Sequence, residues 1–199
     1  MKKIMYIALG VIFSLVIVLF ITVQLFFSNE QRNIEMYPYT VKKVYDDFEI
    51  RDYESTLFST VKLSEGEYEK ASGNGFSILA GYIFGDNERN ESIAMTSPVA
   101  MSLEDSMTMM FMVPKQYTLE TLPKPNQTGI NFQQEPAKTV AAITFGGWSD
   151  NEKIEQHKDR LVAALDAEGL TYSDRFYFLG YNPPFEVFNR RNEVIVELK

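Results

Sequence analysis

From Ile4 to Phe27 the chain carries no charged residue, and only Ser14, Thr22 and Gln24 are distinctly polar. As a helix this run is about 36 Å long at roughly 1.5 Å per residue, enough for the roughly 30 Å hydrocarbon core of a bilayer. A cleaved signal peptide has an apolar region of roughly 7–15 residues that ends in small side chains. This run ends Gln24-Leu25-Phe26-Phe27 instead. An uncleaved transmembrane helix within residues 1–28 is therefore expected, acting as a membrane anchor. Lys2 and Lys3 flank its start, so the positive-inside rule keeps the amino terminus in the cytoplasm and sends the rest across. The expected location is the membrane, single-pass, with an extracytoplasmic globular domain over 39–199. Residues 29–38 are polar and read as a linker.

Beyond the linker the pattern is mainly that of half-buried strands. Val41, Phe48, Ile50, Leu57, Val61 and Leu63 sit among polar partners, and Met107, Met109, Phe111 and Val113 give a period of two that stops at Pro114. Phe76, Leu79, Ala80 and Ile83 fall at helical spacing with Gly85 as a stop, while Gly73 and Gly75 weaken any extension towards the start. A second helix opens on a capping-box pattern, Ser149 with Glu152. It places Ile154, Leu161 and Leu165 on one face and ends at Gly169. Residues 114–136, with Pro123 and Pro125, read as a crossing loop. The halves, about 39–114 and 130–199, repeat one order of elements: Pro184 and Val194 lie about 86 and 85 residues after Pro98 and Met109. Two such βαββ-like units predict one curved antiparallel sheet with its helices to one side and a groove at the junction of the halves.

Charge and composition narrow the function. The chain has 19 basic and 27 acidic residues; setting aside Lys2 and Lys3 leaves 17 against 27, a net charge of −10 beyond the apolar run. Such a surface repels phosphate backbones, so no nucleic-acid partner is expected. No cysteine is present, which removes disulfides, thiolate metal sites and cysteine nucleophiles. His157 is the only histidine, so a metal site with two or more imidazoles is excluded. Nucleophile-elbow, phosphate-loop and dinucleotide-binding motifs are absent from the sequence. Without a catalytic constellation the chain is expected not to be an enzyme. On the second helix, His157 falls beside the stripe of Ile154, Leu161 and Leu165, among Gln156, Lys158, Asp159 and Arg160. It is read as an exposed shoulder rather than a metal ligand. Five of nine methionines lie between Met101 and Met112, a soft apolar lining that adapts to varied partners.

Several strings then carry a resemblance. Phe48-Glu49-Ile50-Arg51-Asp52-Tyr53 comes first, followed by Leu79-Ala80-Gly81-Tyr82-Ile83-Phe84-Gly85-Asp86-Asn87 and Ile93-Ala94-Met95-Thr96-Ser97-Pro98-Val99. In order with Phe111-Met112-Val113-Pro114, Leu119-Glu120-Thr121-Leu122-Pro123, Tyr181-Asn182-Pro183-Pro184-Phe185 and Arg190-Arg191-Asn192-Glu193-Val194, the chain closely resembles the SOUL haem-binding protein family over about residues 44–198.

The resemblance implies an α+β fold. Two pseudo-symmetric βαβββ-like halves would form a distorted antiparallel sheet or barrel with two main helices, here preceded by one transmembrane helix. It also implies a relation to effector-binding domains and a module that binds, carries or buffers haem or another tetrapyrrole in a shallow apolar groove, with no motif-encoded axial ligand; the expected amino-terminal anchor, a departure from many relatives, makes that module membrane-anchored. Phe76, Leu79, Ile83, Met95 and Tyr181 would bury the macrocycle, and Arg51, Arg190 or Arg191 would meet its propionates. Haem is thus the expected ligand, no metal ion is expected, and no protein partner is named. Two other readings stand beside this one: a sensor of flat hydrophobic molecules without haem, and a small hydrolase of reactive planar compounds.

Overall fold

The computed structural model describes residues 2–30, 34–63, 68–104, 107–183 and 186–199, with helix side chains at Tyr6, from Leu9 to Gln24 and from Ser72 onward. Two compact units result, Met1–Ile34 with Pro183–Phe188, and Glu35–Asn182 with Asn189–Lys199. In the first, the apolar run forms helix α1 (Lys2–Glu30). Gln24 on this helix is buried, and its side-chain oxygen accepts the Val187 N–H at 3.1 Å. Phe20 meets Phe188 edge-on at 6.3 Å.

Among the described residues, no helix is long and apolar enough to cross a membrane. The expected transmembrane anchor is corrected on that finding. The expected single-pass membrane location, with the amino terminus cytoplasmic and the domain extracytoplasmic, is corrected with it, because no span remains for the flanking lysines to orient.

In the second unit the strands are β1 (Glu35–Met36), β2 (Tyr39–Val44), β3 (Glu49–Tyr53), β4 (Thr56–Lys62), β5 (Thr96–Ser97), β6 (Val99–Ser102), β7 (Thr108–Met112), β8 (Ile130–Glu135), β9 (Lys138–Gly146), β10 (Tyr172–Gly180) and β11 (Arg191–Leu198). The helices are α2 (Tyr68–Ile83) and α3 (Asn151–Ala167). Nine strands form one antiparallel sheet in the order β2-β3-β9-β11-β10-β6-β7-β4-β8, and β1 pairs with β5 in a separate parallel ladder. The expected fold of two βαβββ-like halves with two main helices behind a span is thereby corrected to a curled antiparallel sheet with three helices.

The curl has a local cause. Only Glu54 and Ser55 separate β3 from β4, yet these strands pair with β9 and β8 instead of each other. Across from them, β8 and β9 are separated only by Pro136 and Ala137. A proline cannot donate to the ladder, and the two bent pairs lie side by side, with Tyr53 opposite Lys138 and Thr56 opposite Glu135. The stretch read as a crossing loop thus contains β8. Its Asn131, Gln133 and Gln134 mask the alternation of Ile130 and Phe132, as an edge strand permits.

Both helices cover one side of the sheet. Leu79, Ala80, Tyr82 and Ile83 of α2 pack with Val61, Met101, Met109 and Phe111. Ile154, Leu161 and Leu165 of α3 pack with Ala141, Ile143, Phe178, Val194 and Val196. The α3 cap is Asp150, one residue after the expected Ser149; its carboxylate accepts the Lys153 N–H at 2.8 Å. At the other end Gly169 takes φ +66°, the left-handed conformation that a helix C′ position favours.

Helix α2 extends through both of its weakening glycines because packing decides there. A Cβ on Gly75 would stand 2.9 Å from Leu63 Cδ1 and 3.2 Å from Met109 Cβ, whereas one on Gly73 meets nothing within 4 Å. Opposite signs are expected from substitution. Gly73→Ala raises stability by about 0.4–1 kcal/mol, through lost freedom of the unfolded chain. Gly75→Leu lowers it by about 1–3 kcal/mol by overpacking. Urea unfolding of both variants checks this, and equal shifts of one sign would contradict the packing account.

Candidate functional site

The alternation of β3, β9, β10 and β11 directs a second set of side chains to the helix-free face of the sheet. Tyr53, Val140, Ala142, Leu179, Tyr181 and Ile195 meet Phe58, Ala100, Met110 and Met112 there, with Tyr37 among them. At the centre Glu193 is fully buried. Its carboxylate accepts hydrogen bonds from Arg51 Nη1 at 2.9 Å, the Tyr181 hydroxyl at 2.7 Å, the Thr144 hydroxyl at 3.0 Å and Arg191 Nη2 at 2.7 Å. Burial pushes this carboxyl up, but the bonds and charges of Arg51 and Arg191 outweigh that effect and hold it below the ordinary carboxylate range. Arg51 also donates through Nε to Glu49 at 2.8 Å, and Arg191 donates to the Tyr39 hydroxyl at 2.9 Å. The guanidinium groups of Arg51 and Arg191 lie over the rings of Tyr39 and Tyr181, at 4.5 and 4.2 Å. Burial, together with the Glu193 charge, pushes the Tyr53 hydroxyl up to about 12.

The residues expected to line one groove lie on two faces. Leu79 and Ile83 are buried under α2, and Met95 packs against the same cluster, half-buried. Phe76, 38% exposed, touches Phe111 at a ring distance of 5.4 Å. Ile78, Leu57, Ile130 and Phe132 extend this partly open apolar rim. Tyr181, Arg51 and Arg191 belong to the helix-free face. Arg51, at 2% exposure, is committed to Glu193 and Glu49. Arg190 stacks on Trp148 at 4.0 Å and donates to the Asn182 carbonyl at 3.4 Å.

His157 is buried, not an exposed shoulder. Phe145 stacks on its ring at 3.9 Å, and Nδ1 lies 2.7 Å from the Lys153 carbonyl. The carbonyl can only accept, so Nδ1 carries the proton. The boundary position on α3 was legible, but the ring from β9 that covers it was not. Among the described residues, no group of three or more His, Cys, Asp or Glu side chains is arranged to hold a metal ion. Glu193, Thr144, Tyr37 and Tyr53 were missed as a cluster. The only sequence signal was a charged residue inside the apolar β11 run, and its partner Arg51 lies 142 residues away.

Comparison with known proteins accords with this layout. The C-terminal domain of EcmrR superposes with a TM-score of 0.60 at 9% identity, covering 81% of this chain and 98% of that one. A hydrolase from Listeria innocua superposes at 0.51 and 10% identity, covering 77% and 92%. Both show a shared fold alone. In sequence, heme-binding protein 1 of Xenopus laevis is 28% identical over 155 residues, 74% of this chain and 81% of its own length. Heme-binding protein 2 of Homo sapiens is 27% identical over 156 residues, 74% and 76%. The sequence profile of the SOUL heme-binding protein family matches residues 34–197, nearly the whole sheet-bearing unit, and the chain belongs to that family.

Proposed function

We propose that this protein binds haem, or a related tetrapyrrole, by burying one face of the macrocycle on the apolar rim of α2. The family match over residues 34–197 carries this reading, and relatives named as heme-binding proteins support haem as the ligand. The rim fits the group in kind: half-exposed Phe76, Ile78 and Met95 stand above a floor of buried Leu79 and Ile83. Covering such surface contributes roughly 25 cal/mol per Å². Bound haem would supply iron redox or ligand chemistry; the chain's own residues orient it and exclude water from one face. Binding rather than catalysis is the role this site supports. Arg51 and Arg191 are both paired with Glu193 on the other face of the sheet, so a macrocycle on the α2 rim is held by its apolar contacts.

Haemin titration of the full chain, followed in the Soret region, tests the reading. Phe76→Asp is expected to weaken binding about tenfold, roughly 1.4 kcal/mol, with the far-UV spectrum unchanged. His157→Ala retains most of the affinity, because its ring is engaged with Phe145 and the Lys153 carbonyl. Unchanged affinity in Phe76→Asp, or collapse in His157→Ala, would move the site to α3.

A further inference from the structure

The helix-free face is closed by the chain itself. Residues 35–39 run across it, pinned by the β1–β5 ladder, by the Tyr37 N–H on the Ser97 carbonyl at 2.9 Å and by the Glu54 N–H on the Pro38 carbonyl at 3.1 Å. Among the described residues of the strap, the Tyr37 ring is buried within the cluster and Tyr39 packs against its edge, partly buried. The Tyr37 ring lies 4.3 Å from the Tyr53 ring and 5.1 Å, edge-on, from Phe58. Neither the Tyr37 nor the Tyr53 O–H reaches an acceptor among the described residues, although both atoms are sealed from solvent; Arg51 and Tyr181 approach the Tyr53 oxygen as donors. Packing alone needs only phenylalanine at these positions, since an unmet buried hydroxyl forfeits its hydration without return. Tyr53 therefore offers a donor that the strap does not use. The charges next to it are matched, Arg51 and Arg191 against Glu193 and Glu49, so the face favours a neutral guest.

We propose that the helix-free face is a second binding site, distinct from the haem-binding rim and independent of it, for a neutral single-ring aromatic bearing a hydroxyl or other acceptor. Tyr37 is its built-in occupant. The guest takes the place of the Tyr37 ring between Tyr53 and Phe58, displaces the strap and, being untethered, shifts until its oxygen accepts the Tyr53 O–H. The β1–β5 ladder, the Tyr37 and Glu54 amide bonds, the Lys115 N–H on the Glu35 carboxylate and the Tyr39 hydroxyl under Arg191 are the attachments to open, a local unit that can separate from a sheet without global unfolding.

The probe is 4-methylphenol on the full-length protein. In the wild type, hydrogen–deuterium exchange across residues 35–39, the Tyr37 amide included, is expected to quicken by about threefold or more at saturation, with β9 and β11 unchanged. Unchanged exchange at the strap, or acceleration throughout the sheet, overturns the proposal. In Tyr37→Ala the tethered competitor is gone, so 4-methylphenol binds about tenfold or more tighter than to the wild type. Toluene, lacking the acceptor, binds more weakly, and Tyr53→Phe abolishes that preference. Equal affinity in wild type and Tyr37→Ala, or equal binding of the two compounds, refutes it. Haemin titration is unaffected by either outcome, so failure here leaves the haem reading untouched.

Discussion

Glu193→Ala is expected to lower the unfolding free energy by about 3–5 kcal/mol, the cost of leaving a buried partner charge uncompensated. Arg51 is the charge in question: at 2% exposure it has no route to water, and Glu49 replaces only part of what Glu193 provides. The Tyr181 and Thr144 hydroxyls lose their acceptor in the same step. Urea denaturation at neutral pH measures the loss, and a change below about 1 kcal/mol would mean that the buried network is not coupled to folding. The wild type should also respond to acid. The folded Glu193 carboxyl lies below its ordinary value of 4.5, so its contribution is complete above that value and is lost as pH falls through the depressed folded one. The urea midpoint should therefore drop between pH 6 and pH 3 in the wild type, and drop less in Glu193→Gln.

Leu79→Ala carries the next largest effect, about 2–5 kcal/mol, from lost burial together with the cavity left beneath α2. Leu79 is fully buried, with Tyr82 and Ile83 as helical neighbours and Met101, Met109 and Phe111 across the sheet. Methionine flexibility allows partial collapse of the cavity, which favours the lower part of that range. The measurement is a urea or thermal unfolding curve, alongside Phe76→Ala. Phe76 is 38% exposed, so its truncation costs less stability while costing more haemin affinity. If Phe76→Ala proves the more destabilising of the two, the division into floor and rim is wrong.

Local chemistry was largely legible along the chain. The period of two in Met107–Val113, the α3 stripe and the Gly169 stop each follow from neighbours within one or two turns, because backbone periodicity and steric limits act at short range. The ordered strings from Phe48 to Val194 carried the family by the same token. Other features depended on residues far apart in sequence. The α2 glycines needed Leu63 and Met109 to show that one is required and one is not. Strands β3 and β8 needed each other's neighbours to cross over, and their short connections alone suggest hairpins. Arg51 illustrates the limit most sharply: its sequence neighbourhood leaves it free for a ligand carboxylate, and the fold assigns it to Glu193. Alternation identifies which residues share a face of a strand, but the partner across a sheet is chosen by topology. The sequence by itself determined the family, the periods of individual strands and helices and the absence of thiol chemistry. Tertiary structure alone decided which aromatic and charged groups are spent on the core and which remain for a ligand, since burial and pairing of a charge are properties of its surroundings in space.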